Sequence, residues 1–254
     1  MKIAVFTGAS SGMGREFVKQ ICAEEKFDEV WVIARRLDRL EELKQEIDQP
    51  VKCISLDLTK KKSFDEYKKL LNEAQPEVSV LVNASGYGKF GAFSDIPLEE
   101  HLGMIDLNDK ALVAITYLTL PYLKDGSRVY QVDSLSSFQP VPYISTYGAT
   151  KAFVLSFTRA VNAELRHSGI KMMAVCPGWV KTEFFNRAVT DESVITYYNK
   201  IFTASEVVKR AVRDMKKGKE VSVCGFSIRA QVLLTKLLPH KWVMKIWLKQ
   251  QGKK

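Results

Sequence analysis

The sequence contains 254 residues, of which 46% are hydrophobic and 26% are charged. These proportions are those of a folded globular protein, and they exclude a disordered chain, a collagen-like repeat and a disulfide-rich scaffold. The net charge of +9 is concentrated at one end, because residues 221–254 contain seven Lys or Arg and no Asp or Glu. No recognition motif accompanies this charge, so we expect no nucleic-acid partner.

Cysteine usage and the N-terminal residues indicate a reducing compartment. The four cysteines lie far apart without a CxxC pair, which argues against a disulfide framework and against a metal site. The apolar run 3–6 is too short for the core of a signal peptide. No stretch approaches the roughly 18 consecutive apolar residues of a membrane span. We therefore expect a cytoplasmic protein without a bound metal.

Apolar or β-branched runs alternate with segments of helical spacing along the chain. The sequence predicts strands near residues 3–7, 30–34, 51–56, 78–83, 128–132, 171–176 and 220–223, and helices over 14–25, 38–47, 64–75, 99–124, 146–167 and 205–216. Several predicted strands are apolar throughout, as parallel strands buried on both faces are. The pattern predicts one doubly wound, Rossmann-like α/β domain with a seven-stranded parallel sheet and helices on both faces. We assign residues 1–225 to the catalytic part and 226–254 to a basic, amphipathic helical extension of the same domain.

A glycine-rich turn follows the first strand and reads Thr7-Gly8-Ala9-Ser10-Ser11-Gly12-Met13-Gly14. Glycines let the backbone approach a pyrophosphate closely, and the N-terminus of the next helix offers unpaired N–H groups to its charge. A Walker-type site is excluded because no Lys-Ser or Lys-Thr pair follows the last glycine. Such turns also cap helices without any ligand, but the position directly after the first strand favours a nucleotide site.

Further motifs follow in chain order: Asn83-Ala84-Ser85-Gly86, Asn108, Ser134, Tyr147-x-x-x-Lys151 and Pro177-Gly178. With the TGxxxGxG spacing of the first turn, they resemble the short-chain dehydrogenase/reductase family from residue 3 to about residue 216. Ser85 departs from the small apolar residue that is usual there, and the tail after Gly225 is poorly covered. The resemblance implies hydride transfer between a nicotinamide cofactor and a ketone or secondary alcohol.

The catalytic residues implied by the resemblance are Asn108, Ser134, Tyr147 and Lys151. Tyr147 and Lys151 are four residues apart, so a helix presents both on one face. A nearby ammonium lowers the pKa of a tyrosine from its usual value of about 10. We therefore expect Tyr147 to exchange a proton with the substrate oxygen.

Two polar residues are expected to support this pair. Ser134 follows the fifth strand and would hydrogen-bond the substrate oxygen, with Ser136 and Ser137 as rivals by proximity. Asn108 would hold a water that joins Lys151 to solvent. An asparagine inside a helix is mildly unfavourable, which fits a functional kink.

Residues after the second strand favour NADP(H) over NAD(H). An acidic residue there binds the ribose hydroxyls of NAD, whereas arginine accommodates the additional phosphate of NADP. This chain has Arg35 and Arg36, whose guanidinium groups match phosphate oxygens, with Arg15 as a further helper. The alternative is a pair of solvated arginines before a helix. The remaining cofactor-binding residues implied by the resemblance are Gly8, Ser10, Ser11, Gly12, Met13, Gly14, Asp57, Leu58, Asn83, Ala84, Gly86, Tyr147, Lys151, Pro177, Gly178, Val180 and Thr182.

An aromatic segment between residues 183 and 203 is expected to form a lid over the substrate. Its aromatic residues are Phe184, Phe185, Tyr197, Tyr198 and Phe202, and the expected opposite wall is Phe138, Pro140, Val141, Pro142 and Tyr143. Such an apolar pocket indicates a lipophilic carbonyl or alcohol substrate, of a 3-oxoacyl or steroid-like kind.

The basic tail leaves two interpretations open. Lys241, Lys245 and Lys249 share one helical stripe, with Trp242 and Trp247 elsewhere around the helix. Such a helix either packs on its own chain or on another subunit of a homo-oligomer, which we expect, or makes peripheral contact with an anionic membrane. Two functional alternatives to the enzyme are a non-catalytic, NADPH-binding regulatory protein and a membrane-recruited binding module.

Overall fold

The computed structural model describes residues 1–189, 191 and 193–253. Its centre is a sheet of seven parallel strands in the order β3-β2-β1-β4-β5-β6-β9, which confirms the predicted fold class. The strands, numbered along the chain, are β1 (Lys2–Thr7), β2 (Glu29–Ala34), β3 (Val51–Ser55), β4 (Glu77–Asn83), β5 (Leu123–Val132), β6 (Lys171–Val175) and β9 (Val221–Ser222). A separate two-stranded sheet joins β7 (Trp179–Lys181) to β8 (Ile201–Thr203).

Helices cover both faces of the large sheet, and the strands contribute side chains to two hydrophobic clusters. The flanking helices are α1 (Gly12–Glu24), α2 (Leu37–Lys44), α3 (Lys61–Ala74), α4 (Leu98–Ile105), α5 (Ala111–Thr119), α6 (Ser145–Glu164) and α8 (Ala204–Lys216). Because side chains alternate along a strand, Phe6 of β1 packs with Phe17 of α1 in one cluster. Val5 packs with Tyr67 of α3 in the other. This arrangement explains why β1 is apolar without alternation.

The long helix predicted over residues 99–124 is interrupted. A π-helical turn, Asp106–Lys110, separates α4 from α5, and Pro121 lies in a short 3-10 turn just before β5. A π turn inserts an additional residue and is frequently found at functional sites. Here it carries Asn108, the residue at which the sequence suggested a functional kink.

The C-terminal extension folds as two helices, α9 (Phe226–Leu237) and α10 (His240–Gln250). Pro239 separates them, since proline disfavours a helical conformation at the preceding residue. Ile228 and Val232 of α9 are buried in the same cluster as Phe6. Of the residues the structure describes, no helix is long and apolar enough to cross a bilayer.

Candidate active site

The glycine-rich turn forms a cradle that depends on glycine. Gly8 has a φ of +67°, and a β-carbon there would lie 2.6 Å from the backbone of Ala84. A β-carbon on Gly14 would lie 2.2 Å from the carbonyl oxygen of Gly8. Ser11, at the N-cap of α1, makes no side-chain capping hydrogen bond, which leaves the first N–H groups for an anion. These features border a cleft of about 320 Å³ and fit the phosphates of a dinucleotide.

The arginines after β2 lie at the same cleft. Nη2 of Arg36 donates to Oγ of Ser10 (3.2 Å) and Oγ of Ser11 (3.1 Å) in the glycine-rich turn. Nη1 of the same guanidinium lies 3.1 Å from Oε2 of Glu183. Arg36 is therefore held beside the phosphate cradle by a carboxylate that the sequence did not indicate.

Arg15 does not join these arginines, which makes the predicted helper wrong. Its Nη2 pairs with Oε1 of Glu46 at 2.5 Å, and its Nη1 donates to the carbonyl oxygen of Arg39 (3.4 Å). Lys19 pairs with the second oxygen of Glu46. The carboxylate of Glu46 thus draws the guanidinium away from the cleft.

Most of the predicted cofactor residues are brought together. Those lining the cleft are Gly8, Ser10, Ser11, Gly12, Met13, Gly14, Arg35, Arg36, Asp57, Leu58, Ala84, Gly86 and Thr182. Those lining an adjoining cavity of about 150 Å³ include Met13, Tyr147, Pro177, Gly178, Val180 and Thr182. Asn83 is different, because its Nδ2 donates to Oγ1 of Thr116 (3.1 Å) and Oε1 of Gln131 (3.0 Å) in the core. Its side chain therefore connects β4 to α5 and β5, and it does not face the cleft.

Ser134 and Tyr147 meet in the adjoining cavity. The Ser134 side chain lies beside the phenol of Tyr147 and lowers its pKa, and the Ser134 Oγ accepts from the backbone N–H of Ser136 (3.2 Å). Ser137 donates to the carbonyl oxygen of Ser134 (2.6 Å), so that hydroxyl is engaged with the backbone. Ser136 also lines the cavity and stays a second candidate hydroxyl.

The pKa of Tyr147 differs from the sequence prediction. Burial raises the pKa of its phenol, and the neighbouring Ser134 side chain opposes this rise only in part. Nζ of Lys151 lies 5.7 Å from the centroid of the tyrosine ring and donates to the carbonyl oxygen of Val132 (2.8 Å). The ammonium is thus held by β5, and desolvation of the phenol prevails.

Asn108 connects the loop after β4 to α6. The backbone N–H of Tyr87 donates to its Oδ1 (3.0 Å), and its Nδ2 donates to the carbonyl oxygen of Tyr87 (2.9 Å) and to Oγ1 of Thr150 (3.0 Å). A β-carbon on Gly86 would lie 3.0 Å from Oδ1 of Asn108 and 3.7 Å from Nζ of Lys151. The π turn therefore places the Asn108 amide against the same glycine as the Lys151 ammonium.

Comparisons with known proteins agree with this arrangement. The sequence matches the short chain dehydrogenase family model over residues 2–193. It is 34% identical over 191 residues to sulfoacetaldehyde reductase 2 of Chromohalobacter salexigens, covering 72% of this chain and 74% of that protein. An uncharacterized oxidoreductase of Staphylococcus epidermidis is 32% identical over 183 residues, covering 71% and 79%. A short-chain dehydrogenase of Sphingobium yanoikuyae in complex with NADPH superimposes with a TM-score of 0.79 at 25% identity, covering 96% of each chain.

The chain belongs to the short-chain dehydrogenase/reductase family. It is an NAD(P)-dependent oxidoreductase that acts on alcohol or carbonyl groups.

Part of the expected lid packs against Tyr147. α7 (Phe184–Ala188) follows β7, and the ring of Phe184 lies 5.4 Å from that of Tyr147. Phe184, Phe185 and Tyr197 line the cavity. Tyr198 packs 4.8 Å from Trp179, and Phe202 is buried in the main core.

The expected opposite wall is wrong except at Val141, which lines the cavity. Phe138, Pro140, Val141 and Pro142 border a separate groove beside α6. Tyr143 has a φ of +66°, and Nζ of Lys253 lies 4.5 Å from the centroid of its ring. This left-handed residue turns the chain between the predicted wall and α6.

Asp133 is a site residue that the sequence did not indicate. It is 2% exposed and lines the cavity beside Ser134. Its Oδ2 accepts from Sγ of Cys176 (3.2 Å), and its Oδ1 has no partner in the described part of the chain. Burial raises the pKa of this carboxyl to about 7, although Lys151 opposes the rise. The sequence feature that could have indicated this site residue is its position directly before the candidate serine, Ser134.

We expect Asp133→Asn to increase the free energy of unfolding at neutral and alkaline pH, and not in strong acid. The pKa of about 7 in the folded protein exceeds the unfolded value of about 3.9. The stability contributed by the protonated carboxyl is therefore complete below about pH 4 and is lost as the pH rises through 7. Urea unfolding from pH 5 to pH 8 should show the advantage of the variant growing toward about 2–4 kcal/mol.

Asp214→Asn is a matched control of opposite sign. Asp214 is also buried, but Arg210, Lys219 and Ser222 hydrogen-bond it and hold its pKa low against the effect of burial. This variant should lose stability at neutral pH. A constant effect of Asp133→Asn across the pH range would contradict the assignment.

Proposed function

We propose that the protein is an NADPH-dependent ketone reductase and secondary alcohol dehydrogenase for a lipophilic substrate, of a 3-oxoacyl or steroid-like kind. The observation that carries the proposal is the Ser134–Tyr147 pair in a cavity that shares Met13, Thr182 and Phe184 with the phosphate cleft. Phe90, Val141, Ile144 and Trp179 also line this cavity. A largely apolar lining around the Ser134 and Tyr147 hydroxyls favours an apolar molecule whose reactive oxygen lies against that pair.

The proposed chemistry divides the work between cofactor and protein. The bound nicotinamide supplies the hydride for reduction and accepts it for oxidation. Ser134 binds the substrate oxygen, and Tyr147 gives it a proton during reduction or removes one during oxidation. Lys151 and Asn108 hold the neighbouring backbone and complete the catalytic group. Phe184 over the Tyr147 ring limits the access of water.

A purely regulatory NADPH-binding protein is a weaker candidate. Binding of NADPH without turnover does not require a pair of hydroxyl groups in a substrate cavity. Such a protein would also tolerate loss of Tyr147 or Lys151. We also propose a reducing, cytoplasmic location for the protein.

Replacement of Tyr147 by Phe tests the enzyme proposal. The phenyl ring preserves packing against Phe184 but removes the proton donor, so we expect kcat to fall by about 10²- to 10⁴-fold. NADPH binding, followed by its fluorescence, should change little. An unchanged kcat across a panel of 3-oxoacyl thioesters, steroids and simple ketones would remove Tyr147 from the acid role.

The proposed preference for NADPH rests on Arg35 and Arg36. Replacing both with Ala should weaken NADPH binding by about 10- to 100-fold and NADH binding much less. Glu183→Gln should have the opposite effect, because it removes the carboxylate now paired with Arg36. Titration calorimetry with both cofactors measures these changes, and equal weakening of both would refute the phosphate clamp.

We also propose a homo-oligomer formed through α4, α5 and α6. Leu102, Ile105, Tyr117 and Phe153 of these helices are exposed, and Phe153 stacks on Phe157 at 6.0 Å. Asp106 and Lys110 pair on the same helical segment, so the charges there are mixed and do not repel a second copy. Exposed apolar clusters of this kind commonly mark interfaces.

Phe153→Glu should reduce the mass measured by light scattering to that of one chain. The control is Leu233→Ser, which lies on α9 and should leave the mass unchanged. A wild-type protein that is already a single chain at micromolar concentration would contradict the proposal.

A further inference from the structure

The C-terminal helices expose a set of large apolar side chains. We define the C-terminal surface as Phe226, Leu233, Leu234 and Leu237 of α9 with Trp242 and Ile246 of α10. Phe226 is 80% exposed and Leu237 is 73% exposed. Soluble proteins rarely expose a cluster of this kind unless it binds something.

Packing within the chain does not account for these residues. Phe226, Leu233 and Leu237 follow the spacing i, i+7, i+11 and occupy one stripe of α9. Ile228, Val232 and Thr235 form the buried face of the same helix. The exposed stripe lies on the opposite side, so α9 is apolar on two faces and only one of them is covered by the protein.

Positive charge surrounds this apolar stripe. Lys241, Lys245 and Lys249 are exposed along α10, and Arg229 and Lys236 are exposed on α9. No Asp or Glu occurs after Glu220. A second copy meeting this surface would bring positive charge against positive charge, whereas anionic phospholipid supplies the complementary charge and accepts Trp, Phe and Leu below its headgroups.

The same two helices form part of the active-site cavity. Gln231 of α9 and Trp247 and Gln250 of α10 line it together with Tyr147. Nε1 of Trp247 donates to the carbonyl oxygen of Pro142 (3.0 Å), which fixes α10 beside the segment before α6. The C-terminal surface and the cavity are therefore two sides of one pair of helices.

The C-terminal residues also hold the lid segment. Oε1 of Gln251 accepts from the backbone N–H groups of Thr196 (2.9 Å) and Tyr197 (3.0 Å). Nδ2 of Asn199 donates to Oε1 of Gln231 (3.2 Å). A movement of α9 or α10 at a surface would consequently act on residues that line the cavity.

We propose that the C-terminal surface docks the protein on an anionic phospholipid bilayer, and that the lipophilic substrate enters the active-site cavity from that bilayer. The docking proposal depends only on the exposed apolar and basic residues of α9 and α10. The second part rests on the proposed function, because it requires an apolar carbonyl or alcohol as substrate.

Flotation of the full chain with vesicles tests the docking. Wild type should float with vesicles of phosphatidylcholine mixed with phosphatidylglycerol, and much less with phosphatidylcholine alone. Replacing Lys241, Lys245 and Lys249 with Gln should lower the vesicle partition coefficient by about 100-fold, since each lysine contributes about a fivefold factor. Replacing Phe226, Leu233 and Leu237 with Ser removes the apolar contact and should lower it at least as much.

A charge-matched control separates local from general electrostatics. Lys62, Lys68 and Lys69 are exposed on α3, which packs on the other hydrophobic cluster of the sheet. Their replacement with Gln changes the net charge equally and should leave binding unchanged. Failure of wild type to float, or equal loss in this control, would overturn the docking. A change in oligomeric mass on altering the C-terminal surface, without vesicle binding, would assign the surface to a second copy and also overturn it.

Kinetics with two substrates test delivery from the bilayer. For a long-chain ketone embedded in anionic vesicles, kcat/KM should fall at least tenfold in the serine variant. For a short, soluble ketone it should stay at the wild-type value. Equal rates for wild type and variant with the embedded ketone would overturn the delivery route. Inactivity of wild type toward every carbonyl and alcohol would instead refute the proposed function, and the flotation result would stand independently.

Discussion

A buried ammonium group is the constraint on which the site depends. Lys151 is 5% exposed, and burial of a charged group is costly unless other groups compensate for the lost water. The carbonyl oxygen of Val132 accepts directly from its Nζ, while Asp133 and Asp109 stabilise its charge and oppose the effect of burial, which lowers its pKa. Asp109 lies on the π turn and Asp133 directly follows the strand that ends at Val132, so two separate elements are fixed around one side chain. The irregular features of the site are thus connected: the broken helix, the buried carboxylates and the loop held by Asn108 all surround Lys151.

The sequence was informative where local physics determines the structure. β1 could be placed because an apolar run with small turn residues after it has few alternatives, and Gly14 is required by a contact with Gly8 within the turn itself. The sequence suggested an irregularity at Asn108, but it could not indicate the π turn between α4 and α5, because Asn108 is held there by hydrogen bonds with Tyr87 and Thr150, which are distant in sequence. The same reason applies to Arg15, whose partner Glu46 is 31 residues away. The prediction of the opposite pocket wall was wrong at Tyr143. This residue has a left-handed backbone conformation that the sequence did not indicate, and it turns the chain there.

The pKa of Tyr147 shows a limit of reasoning from spacing alone. Two residues at i and i+4 share a helix face, but the strength of their interaction depends on where each charged atom lies. Burial of the phenol and the bond from Lys151 to Val132 together make desolvation the larger effect. An opposing positive charge must therefore come closer to the phenol oxygen before this tyrosine becomes a stronger acid.

The aromatic cluster over the cavity connects the catalytic residues to the C-terminus. Phe184 contacts Tyr147, Trp179 lies 6.0 Å from Phe90, and Trp247 of α10 stacks 6.5 Å from Trp179. Rings packed in this way move together more readily than separately, because displacing one leaves a void beside the others. The lid over Tyr147 is consequently not an independent loop. The ion pair of Glu183 with Arg36 fixes its position on one side, and the hydrogen bonds of Gln251 and the ring of Trp247 fix it on the other. Binding at the phosphate cradle and contact at the C-terminal helices would therefore act on the same few side chains.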